Sequence, residues 1–408
     1  MRDGSSMVLR AVLISTFPPL REGIATYSSS LAKALIKYGK IQLVVLSSEN
    51  YVGEKSPDIT VRKAWKQNSF WYPFSILKEV AKTKIDLVHI QHEYALYGSP
   101  LYSGLFYILP FILKLMRKKV VVTMHSVILE SSLNTEFFRE HSAGKNLVIL
   151  KKLLVVGVTM FIGYLSDCII VHKRIAKREL STKYGFNPKK IYVIPHGVES
   201  CCTVVDPTFS KAKMNIRGPT LFCFGFLRPD RGIEYAIRAL KIVIRKHPNV
   251  KLIIVGHAHM FSIYEGIAYV DKLKDTIEEL GLSGKVVFIN RYIPEKELPF
   301  YFSLADIFVL PYTEKGIIGA SGVISKILCY GKPIVFTRAY RFGELWNLAS
   351  MPVVEPGNTE SLANALIQLL ESPSLQKKVG EELKEIAFKE SWDNVASKTL
   401  SLYRMVLG

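Results

Sequence analysis

Two segments of the chain combine small residues, arginines and a helix start in a way that suits anion binding. The first, GASGVISKILCYGKP (319–333), follows the apolar run DIFVLPY and begins with small residues only. Backbone N–H groups at a helix start have no partner within the helix, and the helix dipole adds partial positive charge there. Small side chains let an anion approach these groups. The segment therefore predicts a phosphate-binding turn, although a plain strand-to-helix connection has the same pattern.

The second segment, LFCFGFLRPDRGIEYAIRAL (221–240), contains a strand, a glycine turn and two arginines ahead of a helix. Arg228 and Arg231 are the arginines, and a guanidinium group binds phosphate through two parallel hydrogen bonds. Two surface arginines at a helix start would look the same. Together the two segments predict a site for a phosphorylated ligand.

Strand-like and helix-like runs alternate along the whole chain, which favours parallel sheets built from βαβ units. One series extends from AVLIST (11–16) to IYVIPHG (191–197), and a second from TLFCFG (220–225) to KPIVFT (332–337). We therefore expect an α/β protein of two Rossmann-like, doubly wound parallel-sheet domains. Ligands of such sheets bind beyond the carboxyl ends of the strands, so both domains are expected to face a central cleft.

The predicted boundary between the domains lies in a polar, irregular stretch, 198–218. It gives an N-terminal domain over 1–198 and a C-terminal domain over 199–390. The last helix, about 391–408, is expected to pack back on the first domain.

Length and charge narrow the class of protein. A chain of 408 residues with 49% hydrophobic and 22% charged residues describes a globular protein larger than a single small module. The net charge is +19, and residues 1–200 hold 28 Lys and Arg against 14 Asp and Glu. This excess suits nucleic acid, an anionic membrane surface or a phosphorylated substrate, and a solvated basic face is the alternative.

The cysteines and the apolar segments bear on location. Five cysteines form an odd set without metal-ligand spacing, namely Cys168, Cys201, Cys202, Cys223 and Cys329. This usage is typical of a reducing compartment, and we expect a cytoplasmic protein. The apolar run 153–165 predicts a buried or surface-lying helix, so any membrane association is expected to be peripheral.

Several segments resemble the retaining glycosyltransferases of the GT-B fold, in the large group called family 4 or group 1. They are PPLREGIATYSSSLAKAL, VVTMHS, VIPHGVE, FGFLRPDRGIEYAIRALKIVIRKHPNVKLIIVG, FSLADIFVLPY and SGVISKILCYGKPIV. The resemblance implies transfer of a hexosyl group from a nucleoside diphosphate sugar to an acceptor hydroxyl, with retention of configuration. It also implies that no cofactor and no bound catalytic metal are needed.

The resemblance implies that 1–198 is the acceptor-binding domain and 199–390 the nucleotide-sugar-binding domain, and it assigns roles to residues of this chain. The residues expected in catalysis are His125, Arg228, Arg231 and Glu314. Those expected to bind the donor diphosphate are Gly23, Ser321, Gly322 and Val323. Those expected to bind the acceptor are Glu22, His92 and Glu93. His172 and His196 also end strands and are expected to be structural or to line the cleft.

The chain departs from the family pattern at five positions. Phe226 stands where Arg is usual, Arg231 where Lys is usual, and Glu22 where a second Gly is common. Many members carry two Glu residues that bind the hexose and ribose hydroxyls, and Ile318 and Lys326 occupy those positions. We expect Glu314 to replace the first carboxylate, whereas the ammonium group of Lys326 cannot accept a hydrogen bond.

The sequence leaves several functions open. The acceptor is a lipid-linked or glycan molecule at a membrane face, or a soluble sugar or polyol phosphate. A noncatalytic relative that binds a nucleotide sugar or a protein partner is the main alternative, because the two carboxylates are missing. A nucleic-acid-binding module is disfavoured, since no motif of that class is present.

Overall fold

The computed structural model describes residues 8–39, 41–49, 59–94, 96–140, 147–199, 202–258, 263–348, 350 and 353–408. Cys201 lies outside these ranges. The chain divides into two compact units, which are described separately here. Unit 1 comprises Met1–Gly197, Gly316–Ala320 and Glu390–Gly408, and unit 2 comprises Val198–Lys315 and Ser321–Lys389. The predicted second domain, 199–390, is therefore interrupted by a short segment that belongs to unit 1.

The strands in chain order are β1 (Leu9–Ile14), β2 (Ile41–Ser48), β3 (Thr60–Trp65), β4 (Leu87–His92), β5 (Lys119–Met124), β6 (Ser126–Ile128), β7 (Cys168–Val171), β8 (Ile191–Val193), β9 (Thr220–Phe226), β10 (Lys251–His257), β11 (Val286–Asn290), β12 (Ile307–Leu310), β13 (Ile317–Gly319), β14 (Ile334–Thr337) and β15 (Val353–Val354). Two all-parallel sheets contain most of them. Their orders are β3-β2-β1-β4-β5-β7-β8 in unit 1 and β11-β10-β9-β12-β14-β15 in unit 2. Both orders reverse direction beside the first strand of the sheet, as in doubly wound folds.

The α-helices in chain order are α1 (Gly23–Tyr38), α2 (Tyr72–Ala81), α3 (Pro100–Ser103), α4 (Ile108–Leu115), α5 (Thr135–Glu140), α6 (Val148–Leu165), α7 (Arg174–Thr182), α8 (Pro207–Lys213), α9 (Ile233–Lys246), α10 (Ile263–Glu279), α11 (Leu298–Ser303), α12 (Gly322–Ile327), α13 (Thr359–Glu371), α14 (Pro373–Lys389) and α15 (Trp392–Leu407). The predicted irregular connection, 198–218, contains α8. Asp206 begins this helix by accepting a hydrogen bond from the amide of Thr208 at 2.9 Å.

Continuous apolar runs form the central strands because both faces of a parallel sheet are covered by helices. All residues of β4, β7, β12 and β14 are buried. The edge strand β3 is half exposed and carries Arg62 and Lys63, so its sequence lacks a continuous apolar run. These cores hold the carboxyl ends of the strands, and the loops that follow them, in fixed positions.

A short antiparallel pair of strands belongs to unit 1. β13 pairs with β6, with Ile317 opposite Ile128 and Gly319 opposite Ser126. The amide of Leu129 extends the pairing by donating to the carbonyl of Gly316 at 2.8 Å. This pairing explains why the first two residues of the GASG motif lie in unit 1, while Ser321 and α12 lie in unit 2.

The last helix, α15, packs in unit 1 against α1. The Trp392 ring lies so close to Gly197 that a Cβ at this glycine would overlap it. At the other end of the helix, Tyr403 is fully buried and bonds through its hydroxyl to His89 Nδ1 at 2.6 Å. These contacts position the carboxyl ends of the strands in unit 1.

Two of the cysteines form a disulfide in unit 2. Cys202 is joined to Cys329, with Cα atoms 5.9 Å apart. The same segments are also linked by Tyr330, whose hydroxyl donates to the carbonyl of Thr203 at 3.4 Å. The sequence did not anticipate this pair, because 127 residues separate its members. Cys168 and Cys223 are buried thiols.

Candidate active site

The two predicted anion-binding segments meet in unit 2, at the point where the strand order reverses. β9 and β12 are neighbours there, and the loops after Phe226 and Leu310 leave the same edge of the sheet. Gly225 has φ +130°, and a Cβ added to it would lie 3.1 Å from a methyl group of Val323. The glycine turn therefore contacts the start of α12.

The loop before α9 is fixed against the loop after β12. The amide of Thr313 donates to the carbonyl of Asp230 at 3.0 Å. Gly232 has φ +61°, and a Cβ at this position would overlap the carbonyl oxygen of Pro311. Glycine is therefore required at Gly232 by both backbone conformation and close approach. This contact fixes the backbone that carries the two arginines.

Arg231 and Arg228 lie in this loop, on either side of Asp230. The guanidinium carbon of Arg231 lies 4.3 Å from the centre of the Tyr312 ring, and Nε lies 3.9 Å from Asp230 Oδ2. Arg228 Nε lies 3.0 Å from Asp230 Oδ1. The side chain of Arg231 is 16% exposed and that of Arg228 is 35% exposed, so the outer arginine has more access to solvent.

Glu314 forms a buried ion pair with Arg341. Arg341 Nη2 donates to Glu314 Oε1 at 2.7 Å, and Arg341 Nε donates to the other carboxylate oxygen. The side chains are 4% and 16% exposed for Glu314 and Arg341. The structure thus gives Glu314 a partner that the sequence did not indicate, and its predicted contact with the sugar stays a prediction.

The predicted phosphate-binding turn is the start of α12. Ser321 is the N-cap, and its hydroxyl accepts a hydrogen bond from the amide of Ile324 at 3.4 Å. Ser321 is buried, Gly322 is exposed and Val323 is half-buried. The remaining first-turn amides have no partner within the helix, which is the general property of a helix start. Gly322 and Val323 therefore place backbone N–H groups at the switch point.

Two lysines of the same motif have protein partners. Lys332 Nζ donates to the carbonyls of Phe302, Ser303 and Ala305 at 3.1, 2.9 and 2.6 Å, where α11 ends. Burial lowers the pKa of Lys332 to about 8. Lys326, which stands where the family often has a carboxylate, forms an ion pair with Glu295.

In unit 1 the predicted residues follow the carboxyl ends of β4 and β5. Glu93 accepts hydrogen bonds from the hydroxyl of Ser126 at 2.6 Å and from the amide of Tyr94 at 3.1 Å. The amide of His125 donates to the carbonyl of His92 at 3.0 Å. Glu93, His92 and His125 are therefore brought together.

The ring of His92 is enclosed by other side chains of unit 1. It is 2% exposed and lies edge-on to Phe106 and Tyr94, with ring centres 4.5 and 5.3 Å apart. Burial lowers the pKa of His92 to about 3. These contacts give His92 a packing role, and none of them supports the predicted binding of an acceptor.

His125 belongs to a buried chain of hydrogen-bonding side chains. His172 Nδ1 lies 3.0 Å from the carbonyl oxygen of Ile194, and His172 Nε2 lies 3.2 Å from His125 Nδ1. His125 Nε2 lies 2.8 Å from Oε1 of Gln91, and Nε2 of Gln91 lies 3.2 Å from His89 Nε2. The chain reaches Tyr403 through His89.

The carbonyl at one end of this chain fixes one proton position. Because the carbonyl of Ile194 can only accept, His172 carries a proton on Nδ1. On the other side, Nε2 of His125 faces the side-chain oxygen Oε1 of Gln91. Burial favours the neutral state of His125, since it lowers the pKa of His125 well below its usual value. Both ring nitrogens of His125 are thus engaged inside unit 1.

Glu22 and Gly23 begin α1. Glu22 is the N-cap residue and its carboxylate lies beside the Thr16 hydroxyl. Burial raises the pKa of Glu22, and the hydroxyl of Thr16 partly offsets the rise. A Cβ at Gly23 would meet nothing within 4 Å, so the space above this backbone is open in unit 1.

The aromatic ring of Tyr27 joins the strand-end histidines of unit 1. Its centre lies 4.7 Å from His125, 5.3 Å from His172 and 4.9 Å from His196. Trp392 of α15 contacts the same ring at 5.3 Å. His172 and His196 therefore have packing contacts in unit 1, and the expectation that they are structural or line the cleft stays a prediction.

The structure groups the predicted site residues by unit. Arg228, Arg231, Glu314, Ser321, Gly322 and Val323 lie around the switch point of unit 2, and Glu22, Gly23, His92, Glu93 and His125 lie in unit 1. Sequence reasoning missed Asp230, Tyr312, Arg341 and Gln91. Asp230 sits between the two arginines in RPDR and Tyr312 ends DIFVLPY, so both had a signal in the sequence, whereas Arg341 had none. Among the described residues, no group of three or more His, Cys, Asp or Glu side chains is placed to hold a metal ion.

Solved structures share the fold over nearly the whole chain. A sucrose-phosphate synthase from Thermosynechococcus elongatus superposes with a TM-score of 0.74 at 17% identity, covering 98% of this chain and 99% of that one. HepE from Anabaena, in complex with UDP and glucose, superposes with a TM-score of 0.70 at 15% identity, covering 97% and 100%. The two doubly wound parallel sheets thus have the GT-B fold of glycosyltransferases.

Family models identify the family. The model for Glycosyltransferase Family 4 matches residues 21–200, and the model for Glycosyl transferases group 1 matches residues 206–386. The chain therefore belongs to the group 1, family 4 glycosyltransferases.

Several curated proteins are similar to this chain over part of their length. An uncharacterised glycosyltransferase of Methanocaldococcus jannaschii is 26% identical over 60% of this chain and 61% of its own length. A GDP-mannose-dependent α-(1-6)-phosphatidylinositol monomannoside mannosyltransferase of Mycolicibacterium smegmatis is 27% identical over 52% and 55%. A D-inositol 3-phosphate glycosyltransferase of Acidothermus cellulolyticus is 25% identical over 59% and 54%. The chain thus spans between half and two thirds of the length of these relatives.

Proposed function

We propose that the protein transfers a hexosyl group from a nucleoside diphosphate sugar to an acceptor hydroxyl with retention of configuration. The observation that carries the proposal is the position of Arg231 and Arg228 at the switch point of unit 2, next to the start of α12. Family membership supports the reaction class. The quoted sequence segments, which resemble retaining enzymes, support retention.

The arginines suit a reaction whose leaving group is a diphosphate. Negative charge grows on the bridging and terminal oxygens as the sugar departs, and fixed positive groups stabilise that charge without having to reorganise. Tyr312 and Asp230 hold the guanidinium of Arg231 in place. Gly322 and Val323 add backbone N–H groups from the start of α12. We therefore propose that the arginines and these amides supply this charge without a metal ion or other cofactor.

The residues of unit 1 are proposed to serve the sugar and the acceptor. Both ring nitrogens of His125 are engaged by Gln91 and His172, so we propose that His125 presents a constant polar surface rather than transferring a proton. Glu93 is held by Ser126 and Tyr94, and Glu22 keeps a buried oxygen, Oε1, without a hydrogen-bond partner among the described residues. A hydroxyl of the acceptor could donate to that oxygen.

The relatives support the proposed donor and acceptor classes. Their names include a GDP-mannose-dependent enzyme acting on a phosphatidylinositol mannoside and an enzyme acting on D-inositol 3-phosphate, and HepE was solved with UDP and glucose. We propose a lipid-linked or glycan acceptor, with a soluble polyol phosphate as the alternative. Both would meet a basic acceptor domain, since residues 1–200 hold 28 basic and 14 acidic side chains.

The proposed location is the cytoplasmic face of a membrane. The support is the basic first domain, because the cytoplasmic leaflet carries a negative surface potential. The Cys202–Cys329 bond counts against a reducing compartment. Differential alkylation and mass spectrometry of the protein from intact cells, quenched in acid, would decide: two free thiols at these positions support the proposal, and an intact disulfide overturns it.

A donor panel tests the function. The purified protein would be incubated with UDP-, GDP- and ADP-sugars, with and without EDTA, and release of the nucleoside diphosphate measured. Turnover of one donor, insensitive to EDTA, supports the proposal, and proton NMR of the product reports the anomeric configuration. Nucleotide-sugar binding without turnover on any donor or acceptor would instead identify a noncatalytic relative, the alternative suggested by Ile318 and Lys326.

A further inference from the structure

The longest apolar helix of unit 1, α6, has an outer face that no described part of the protein covers. By length and composition α6 could cross a membrane, and it is the single helix in the described residues of which this is true; 28% of it is buried in the protein. Leu150, Leu153, Phe161 and Tyr164 are 60%, 63%, 53% and 78% exposed. Large exposed apolar surfaces of this kind mark interaction sites.

A second apolar segment lies beside α6 and extends this surface. Residues 104–115 pack along the helix, with the rings of Tyr107 and Phe161 5.7 Å apart. Phe111 and Leu115 of α4 are 49% and 68% exposed. We call the exposed apolar side chains of α4 and α6 the apolar face.

The inner side of α6 is anchored in unit 1, so the helix does not leave the fold to cross a bilayer. A Cβ at Gly163 would lie 2.5 Å from the Phe186 ring, which shows how closely the helix packs. Thr159 exchanges a hydrogen bond with the hydroxyl of Tyr94 at 3.2 Å, and Val158 and Ile162 are buried. The helix therefore lies along the surface of the unit.

The charges around the apolar face are basic. α4 and α6 contain three lysines, Lys114, Lys151 and Lys152, and no acidic residue. Lys190 lies at the end of α6, where its ammonium group donates to the carbonyls of Tyr164 and Ser166 at 3.4 and 3.1 Å. Glu130 forms an ion pair with Lys152. Exposed Leu and aromatic residues bordered by lysines are the pattern of a helix that lies in the interface of a membrane.

We propose that the apolar face docks unit 1 on a phospholipid bilayer that contains anionic lipid, with α6 in the plane of the interface. The apolar side chains enter the acyl boundary, and Lys114 and Lys190 contact the headgroups. The proposal rests on the membrane location proposed above and names the surface that holds the protein there; it is separate from the transfer reaction.

The test is vesicle binding by the full chain. Sedimentation with phosphatidylcholine vesicles, with and without phosphatidylglycerol, would be compared for the natural protein, the double variant Leu153→Glu/Phe161→Glu, and Ile267→Glu as a control. Ile267 is 52% exposed on α10 of unit 2. We expect binding to the anionic vesicles, a loss of at least about tenfold in the double variant, and no change in the control. An unchanged melting temperature shows that the double variant is folded; if it is not, Leu150→Ser replaces it.

Three other results would overturn the proposal. Equal binding by the natural protein and the double variant would remove the apolar face from the interaction. If the natural protein binds neither kind of vesicle, the apolar face is not a membrane-docking surface. A lipid-free dimer in sedimentation velocity, abolished by Leu153→Glu, would show that the face joins two copies of the chain. Because vesicle binding is measured without a sugar donor, these outcomes are independent of whether the protein proves to be an enzyme.

Discussion

The guanidinium group of Arg231 stacks on the ring of Tyr312, with its central carbon 4.3 Å from the ring centre. Arg231 precedes α9 and Tyr312 follows β12, so the stack joins the two sides of the switch point in unit 2. Cation–π contacts strengthen when they are desolvated, and the arginine side chain is 16% exposed. The side chain is therefore oriented before any ligand binds, which lowers the entropic cost of binding a diphosphate.

Replacing Arg231 should remove most of the activity. We expect Arg231→Ala to lower kcat/KM by about 10²- to 10³-fold, because one fixed donor to the leaving diphosphate is lost. Arg231→Lys should recover only part of it, since an ammonium group cannot form the planar two-point contact. Steady-state kinetics with the donor found in the panel would measure both. Arg238→Ala, exposed on α9, is the control, and an active Arg231→Ala protein would exclude the arginine from the reaction.

The Glu314–Arg341 pair should be essential for stability but replaceable as a unit. We expect Glu314→Ala and Arg341→Ala each to destabilise unit 2 by about 3–5 kcal/mol, because a buried charge is left without its partner. The double variant should lose less free energy of unfolding than the sum of the two single variants. Urea denaturation of the natural protein, the two single variants and the double variant gives the coupling energy between the two side chains. Additive losses would contradict the pairing, and Glu381→Ala, from an exposed ion pair, should change little.

Acid should destabilise unit 1 through its buried histidines. Burial lowers the pKa of His89 and of His92 to about 3, below the usual value of 6.5. Between these pH values the unfolded chain binds protons that the folded chain does not, so stability is present above pH 6.5 and falls as the pH drops. Each histidine contributes a slope of about 1.4 kcal/mol per pH unit.

Melting temperatures from pH 8 to pH 4 would measure this effect. His92→Leu should give a shallower dependence on pH than the natural protein, because one titrating group is removed while the packing against Phe106 is kept. His247→Gln in unit 2, outside the histidine network, serves as the control. An identical slope for His92→Leu would show that the ring does not stay neutral.

Lys326 should contribute little to donor binding. Its ammonium group is paired with Glu295, and this pair is partly exposed, with side chains 27% and 62% accessible. We expect Lys326→Met to change the KM of the donor by no more than about twofold, since exposed ion pairs contribute about 0–1 kcal/mol. Glu295→Gln should change the KM of the donor as little as Lys326→Met does. A much larger rise for Lys326→Met alone would place the lysine on the nucleotide.

Most of the fold could be predicted from the sequence because the central strands of parallel sheets are apolar on both faces. The runs VVVTM and IFVL show this directly. β3 could not be found in this way, since an edge strand with charged residues lacks the pattern. β13 could not be found either, because its partner β6 is some 190 residues away and the pairing is not encoded locally.

The candidate site was predictable where residue type alone indicates chemistry. Arg228 and Arg231 stand before a helix in a glycine turn, and guanidinium groups there indicate an anion. The ion pair of Glu314 was not predictable, because Arg341 lies in a 3-10 helix after β14 and no spacing rule connects the two. The burial of His92 was also missed, because the ends of neighbouring strands look alike in sequence whether or not a side chain such as Phe106 covers them.

The position of α15 in unit 1 has a consequence for folding during synthesis. Unit 1 needs Trp392 against Gly197 and Tyr403 against His89, and both come after all of unit 2 in the chain. Domains generally fold as they leave the ribosome, in order from the N-terminus. Here the half that is made first stays incomplete, with its histidine network open, until the final turns of α15 emerge. The order of synthesis and the order of completion are therefore reversed in this protein.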